Sequence, residues 1–328
     1  MMKEPLLKIE GLAVSFKTDE GILRAVDDVS FDIHSGEIIG LVGESGCGKS
    51  VTALSILRLI ASPPGRIESG RIIFRGTDVL TLPSETMRTI RGRSISMIFQ
   101  EPLSALSPLQ RIGRQMTEVL LLHKDISRKD AWEISREWLE KVKIPDAEER
   151  MYAYPYQLSG GMQQRIMIAM AMMMNPVLLI ADEPTTALDV TIQAQIFQLI
   201  RRMKQERTAI LLITHDMGVV WEMCDRVLVM YASKVVEAGW KEDLFAEPGH
   251  PYTAGLLKSI PRLSDGKGGP LDAIPGMVPS PGNYPPGCRF HDRCPYAFER
   301  CKREMPELTR IAADHQAACF IAGKFNHS

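Results

Sequence analysis

Neither sign of charge dominates this 328-residue chain. Lys and Arg total 39 against 40 for Asp and Glu, a formal net charge of −1, so no global field recruits a polyanion and nucleic-acid binding is the weaker expectation. A long apolar run is also missing. The most apolar stretch, Ile166 to Ala181, is broken by Asn175-Pro176 and is too short to span a bilayer. The opening MMKEPLLKIEGLAVSF has Glu4 and Glu10 where a secretory signal needs unbroken apolar residues. Membrane association is therefore expected only through a partner. There is no internal repeat. What is present, 45% apolar and 24% charged residues, is the composition of a folded, water-soluble protein. At about 150 residues per domain the length suggests roughly two domains.

Short apolar runs alternate with helical patterns. Ile38 to Val42, Ile95 to Phe99, Val177 to Ala181 and Ala209 to Thr214 predict buried parallel strands of an α/β layer fold. From about Leu106 to Met174 the pattern is helical, which predicts a helical insert. After Gly239 the texture changes again: between Pro248 and Gly287, 9 Pro and 8 Gly are too much punctuation for regular helices or central strands. A second, smaller module is expected from residue 240 to the end.

Gly43-Glu44-Ser45-Gly46-Cys47-Gly48-Lys49-Ser50 fits G-x-x-x-x-G-K-[ST], follows the strand IIGLV and precedes a helical pattern that opens at Val51. Such glycines let backbone N–H groups curl round a phosphate at a helix N-terminus. Lys49 would then contact the β- and γ-phosphates, and the Ser50 hydroxyl would coordinate Mg²⁺. The run VLLIADEP ends a second strand in two carboxylates, Asp182 and Glu183. Successive side chains leave a strand in opposite directions, so Asp182 suits the Mg²⁺ shell and Glu183 suits a general base acting on water.

Leu158-Ser159-Gly160-Gly161-Met162 precedes that strand, and the combination resembles the signature of ABC-family ATPases. Gln100 in FQEP resembles the family's Q-loop glutamine, a further Mg²⁺ ligand. Ala187-Leu188-Asp189 resembles the D-loop, His215 in ITHD the switch histidine, and Phe16 the aromatic that stacks on adenine. Taken singly, each of these is an ordinary loop or core residue; the ordered series gives them their roles. The resemblance implies a P-loop ABC-type ATPase domain over residues 1–239, with a helical subdomain at about 106–174. It also implies that the nucleotide contacts are Phe16, the loop from Gly43 to Val51, and Ser159, Gly160, Gly161 and Asp189. In this family the signature of one subunit completes the ATP site of another. Two residues depart from the common pattern, Met162 for Gln and Cys47 in the phosphate loop, and neither removes a phosphate ligand.

The tail narrows the match. His250-Pro251-Tyr252-Thr253, the Pro/Gly segment and Gly287-Cys288-Arg289-Phe290 resemble the C-terminal extension of dipeptide/oligopeptide importer ATPase subunits, which implies an extension over 240–328. The resemblance implies a peripheral subunit on the cytoplasmic face of a bacterial inner membrane. Its expected partners are two permease subunits, a second and different ATPase subunit, and an extracytoplasmic solute-binding protein. Cys288, Cys294, Cys301 and Cys319 follow a C-x5-C-x6-C-x17-C spacing. A reducing compartment disfavours disulfides, and zinc prefers close C-x2-4-C pairs. A [4Fe–4S] cluster is therefore expected over zinc or unligated thiols, with His291 and His315 as rival ligands. The competing reading is a soluble ABC-type ATPase serving a redox- or iron-sensing cysteine module.

Overall fold

The computed structural model describes residues 4–19, 21–101, 105–185, 190–260 and 274–325. It divides into two compact units, Met1–Thr81 with Leu212–Ser328, and Leu82–Leu211. The first unit begins with β1 (Leu7–Thr18), β2 (Gly21–Ile33), β3 (Ile38–Val42), α1 (Lys49–Ile56), β4 (Gly65–Phe74) and β5 (Thr77–Asp78). The second holds α2 (Ser84–Ile90), β6 (Ile95–Ile98), α3 (Ile112–His123), α4 (Arg128–Lys141), α5 (Ala147–Met151), α6 (Gly160–Met172), β7 (Leu178–Asp182) and α7 (Val190–Met203). β8 (Ala209–Thr214) carries the chain back to the first unit. There follow α8 (Met217–Met223), β9 (Arg226–Tyr231), β10 (Lys234–Trp240), α9 (Lys241–Ala246), α10 (Pro251–Lys258), α11 (Glu299–Arg303), β11 (Thr309–Ala312) and β12 (His315–Ala317).

In the first unit, an antiparallel sheet of order β2-β1-β4-β5 accompanies a second sheet in which β11, β12, β10, β9 and β3 are successive neighbours. Every residue of β3 is buried, as a strand covered on both faces requires, and it pairs in parallel with β9 from Ile39↔Arg226 to Val42↔Val229. β2 buries Val29, Phe31 and Ile33 at period two, the mark of a strand with one covered face. That antiparallel sheet was not expected from the short apolar runs, because its strands are half-exposed and read as alternation, not as continuous apolar sequence.

In the second unit, β6 and β7 are fully buried and pair in parallel from Ile95↔Leu178 to Ile98↔Ala181. Leu178, Leu179 and Ile180 have no exposed surface, and each contributes about 1.5–3 kcal/mol by leaving water. The helices between the strands bury one face: α3 buries Ile112, Met116 and Leu120, four residues apart on the helix surface. Ser127 caps α4, its hydroxyl accepting from the Asp130 N–H at 3.1 Å.

Two features of the tail differ from the sequence expectation. Although its surroundings are rich in Pro and Gly, residues 251–258 form a regular helix, α10. Pro251 stands at the first helical position, where its missing N–H costs nothing, and the His250 Nδ1 accepts from the Tyr252 N–H at 3.0 Å. Nor is 240–328 a compact unit by itself. β12 extends the sheet of the first unit through Glu237↔Ala317 and Ala238↔Gln316, because β10 presents a free edge that must be paired or covered.

Candidate functional site

In the first unit the phosphate loop joins β3 to α1. Gly43 has φ +150° and Gly48 φ +103°; a Cβ on Gly43 would lie 2.1 Å from the Met230 carbonyl oxygen, and one on Gly48 2.3 Å from that of Ala25. Only glycine fits at either position. Lys49, 4% exposed, folds its ammonium into the loop and donates to the carbonyls of Gly43 at 2.8 Å and Glu44 at 2.9 Å. A buried cation ringed by carbonyls at the start of a helix fits a polyphosphate. The Cys47 side chain is fully buried, and burial raises its thiol pKa, so the side chain is a packing group. Phe16 is part-exposed on β1, its ring against the Gly65 backbone. His215 stands exposed just past β8, followed by Asp216, whose carboxylate accepts from the Gly218 and Val219 N–H groups at 2.8 and 3.2 Å.

The second unit holds the carboxylates. Asp182 closes β7 and is 4% exposed, while Glu183, just beyond the strand, takes a left-handed φ of +42°. A non-glycine residue in that region stores strain, a condition common at functional positions. The Gln100 Nε2 donates to the Glu183 carboxylate at 3.4 Å. Ser159 caps α6 by accepting from the Met162 N–H at 3.4 Å. Space within 4 Å of Gly160 is open, and Gly161 meets only Ile192, at 3.7 Å, so this helix N-terminus is uncovered within its unit. Gln164 ties α6 to the turn after Glu183 by donating to the Pro184 carbonyl. Asp189, with Ala187 and Leu188, lies outside the described residues.

The four tail cysteines are free and part-exposed. The Cys288 N–H donates to the Cys301 carbonyl at 2.8 Å. Burial pushes the Cys288 thiol up to about 11 and that of Cys319 to about 12, with the other three cysteines adding to the rise at Cys319. Yet no group of three or more His, Cys, Asp or Glu among the described residues is arranged to hold a metal ion. The expected iron–sulfur or zinc centre therefore finds no assembled ligand set. The rival histidines are engaged elsewhere. His315 Nε2 meets the fully buried Glu237 carboxylate at 2.8 Å, and His291 lies 2.8 Å from the Cys288 carbonyl and 2.9 Å from Asp292.

Residues 26–186 match the ABC transporter family model, and residues 236–301 match that of the oligopeptide/dipeptide transporter C-terminal region. A probable peptide ABC transporter ATP-binding protein of Sinorhizobium fredii is 50% identical over 96% of this chain and 94% of its own length. The chain belongs to the ABC transporter ATP-binding family. It is an ATP-hydrolysing transporter subunit. The oligopeptide transport ATP-binding protein OppD of Salmonella typhimurium is 49% identical over 96% of this subunit and 93% of its own length. Among solved structures, the dimeric post-hydrolysis state of the ATP-binding cassette MJ0796, bound to ADP and Pi, matches with a TM-score of 0.64 at 26% identity, over 72% of this subunit and 98% of the cassette. The sensor alternative finds no support, since relatives named as transport subunits align along nearly the whole ABC subunit. Among the described residues no helix is long and apolar enough to cross a membrane.

Sequence reasoning missed three contacts. The Glu44 N–H donates to the Tyr252 hydroxyl at 2.8 Å, and Arg293 donates to both Glu44 carboxylate oxygens, at 2.6 and 2.9 Å. The partners are 208 and 249 residues apart in the chain, so no motif spacing could have signalled them.

Proposed function

We propose that this subunit powers uptake of peptides or related small solutes across the bacterial inner membrane. It docks peripherally at the cytoplasmic face on two permease subunits, pairs with a second, different ATPase subunit, and is served by an extracytoplasmic solute-binding protein. The observation that carries the ATP-driven part is the Lys49 ammonium, buried within a loop whose Gly43 and Gly48 admit no side chain. The substrate class is supported by relatives named for peptide and oligopeptide transport. Residues 1–239 form the ATPase domain in this reading, and 240–328 its cysteine-containing extension.

Each side chain then has a task. The N–H groups from Ser45 to Val51, with Lys49, bind the phosphates, and Phe16 stacks on the adenine. Ser50, Asp182 and Gln100 are assigned by their motifs as the oxygen donors that would hold Mg²⁺, which would supply Lewis-acid charge neutralisation. Glu183 accepts the proton of the attacking water, Gln100 orients that carboxylate, and His215 contacts the γ-phosphate. Ser159, Gly160 and Gly161 offer a helix N-terminus to a nucleotide held by the partner subunit. Asp189 is assigned by its motif alone.

In proteoliposomes holding both permeases, both ATPases and the binding protein, ATP should drive peptide accumulation. Ser159→Arg should lower turnover by placing a bulky cation at the anion site offered to the partner. Transport by a homodimer of this chain without a second ATPase would refute the pairing, and failure to accumulate any peptide would refute the substrate class.

The [4Fe–4S] reading of Cys288, Cys294, Cys301 and Cys319 rests on their number, their spacing and the electrostatic influence of the other thiols on Cys319. To ligate iron, Cys288, Cys294 and Cys319 must lose protons that burial holds more tightly than usual. No step of ATP hydrolysis depends on it. Anaerobically purified protein is expected to be brown, with about four iron and four sulfide per chain. Colourless protein with stoichiometric zinc would reject the cluster.

A further inference from the structure

The phosphate loop carries a charge that works against its ligand. Glu44 places a carboxylate, one-third exposed at 32%, in the loop that receives a polyphosphate, and like charges at close range repel. Arg293 answers it. Its guanidinium grips both carboxylate oxygens, and its side chain is only 5% exposed. It is held from behind by Nε donating to the Pro275 carbonyl at 2.8 Å, and it lies over the Tyr231 ring, 5.7 Å from the centroid. This two-oxygen geometry is the one in which arginine is strongest and most directional. Tyr252 completes the hold. Packed against Tyr231 and Phe290 with ring centroids at 4.7 and 5.4 Å, it receives the Glu44 N–H on its hydroxyl. That leaves the donors further along the loop to face the ligand.

We infer that Arg293 and Tyr252 of the C-terminal extension are positioning residues for nucleotide binding, acting through Glu44: Arg293 cancels the carboxylate that would oppose a polyphosphate, and Tyr252 fixes the first peptide of the loop. The extension thereby tunes the ATP site, and the inference rests on the reading that this loop binds ATP.

Equilibrium binding of ATP, ADP and adenosine to the full-length chain tests it. Arg293→Gln should weaken ATP about tenfold, a repulsion of order 1.4 kcal/mol. It should weaken ADP less and leave adenosine unchanged, because the penalty scales with ligand charge. Adding Glu44→Gln to that variant should recover most of the ATP affinity. Should Arg293→Gln fail to fold, Glu44→Gln alone is expected to tighten ATP, since it leaves the arginine cation unopposed near the phosphates, and Tyr252→Phe is expected to weaken it. Unchanged ATP affinity in folded Arg293→Gln, an equal loss for adenosine, no relief from Glu44→Gln in the double variant, or weakened ATP binding by Glu44→Gln alone would overturn the proposal. A wild-type chain that binds no ATP would overturn the loop assignment with it.

Discussion

Glu183→Gln is expected to lower ATP turnover of the assembled transporter by about 10²-fold or more while leaving ATP binding intact, because the amide keeps the shape of the carboxylate but cannot take a proton from water. The expectation draws on local geometry. Glu183 stands just past the fully buried strand Leu178–Asp182, in a left-handed backbone conformation at φ +42°, and Gln100 donates to its carboxylate at 3.4 Å. Asp182, one residue earlier, is buried at 4% exposure and is suited to a fixed ligand position, not to proton exchange with solvent. Single-turnover and steady-state phosphate release, measured beside nucleotide binding, separate the two effects. Turnover near wild type would reject Glu183 as the base.

Gly43→Ala is expected to cost more in stability than a typical surface substitution and to abolish tight ATP binding. The added Cβ would lie 2.1 Å from the Met230 carbonyl oxygen and 2.9 Å from the Cys47 Sγ, and the φ of +150° is one that side chains other than glycine's rarely adopt. The clash is with backbone, which cannot rotate away. Met230 belongs to β9, the parallel neighbour of β3, so relief requires opening that strand pair or displacing the loop. A loss of about 1–3 kcal/mol is expected from overpacking of this kind, and the displaced loop no longer presents its N–H groups together. Chemical denaturation and nucleotide binding on the same variant measure the two consequences. Retained affinity with unchanged stability would show that the loop tolerates a side chain there.

The contrast between these sites and the arginine clamp shows what could be read in advance. The phosphate loop, the carboxylate pair and the signature turn are local: each is a handful of consecutive residues at a strand end or helix start, and the backbone conformation they need is written in their own glycines, serines and apolar neighbours. Fully buried strands such as Ile38–Val42 and Leu178–Asp182 were legible for the same reason, since a strand covered on both faces has no polar positions to interrupt it. The half-exposed antiparallel sheet around β1 was less so, because alternation is a weaker signal than an unbroken run. The helix Pro251–Lys258 was missed because proline density hides the one position where proline favours a helix, its first turn.

The sequence by itself determined that a strand, a glycine loop and a helix would follow one another at Gly43–Ser50, that Asp182 and Glu183 would end a buried strand, and that Ser159 would begin a helix. Only the tertiary structure decided that the tail joins the first unit's sheet through β10 and β12, that His315 is engaged with Glu237, and that Tyr252 and Arg293 close on Glu44. Those contacts join residues up to 249 positions apart. Hydrogen bonds and charge pairs act over a few ångströms of space whatever the separation along the chain, so only folding, which brings distant segments to contact distance, selects which of many tyrosines and arginines will meet the loop.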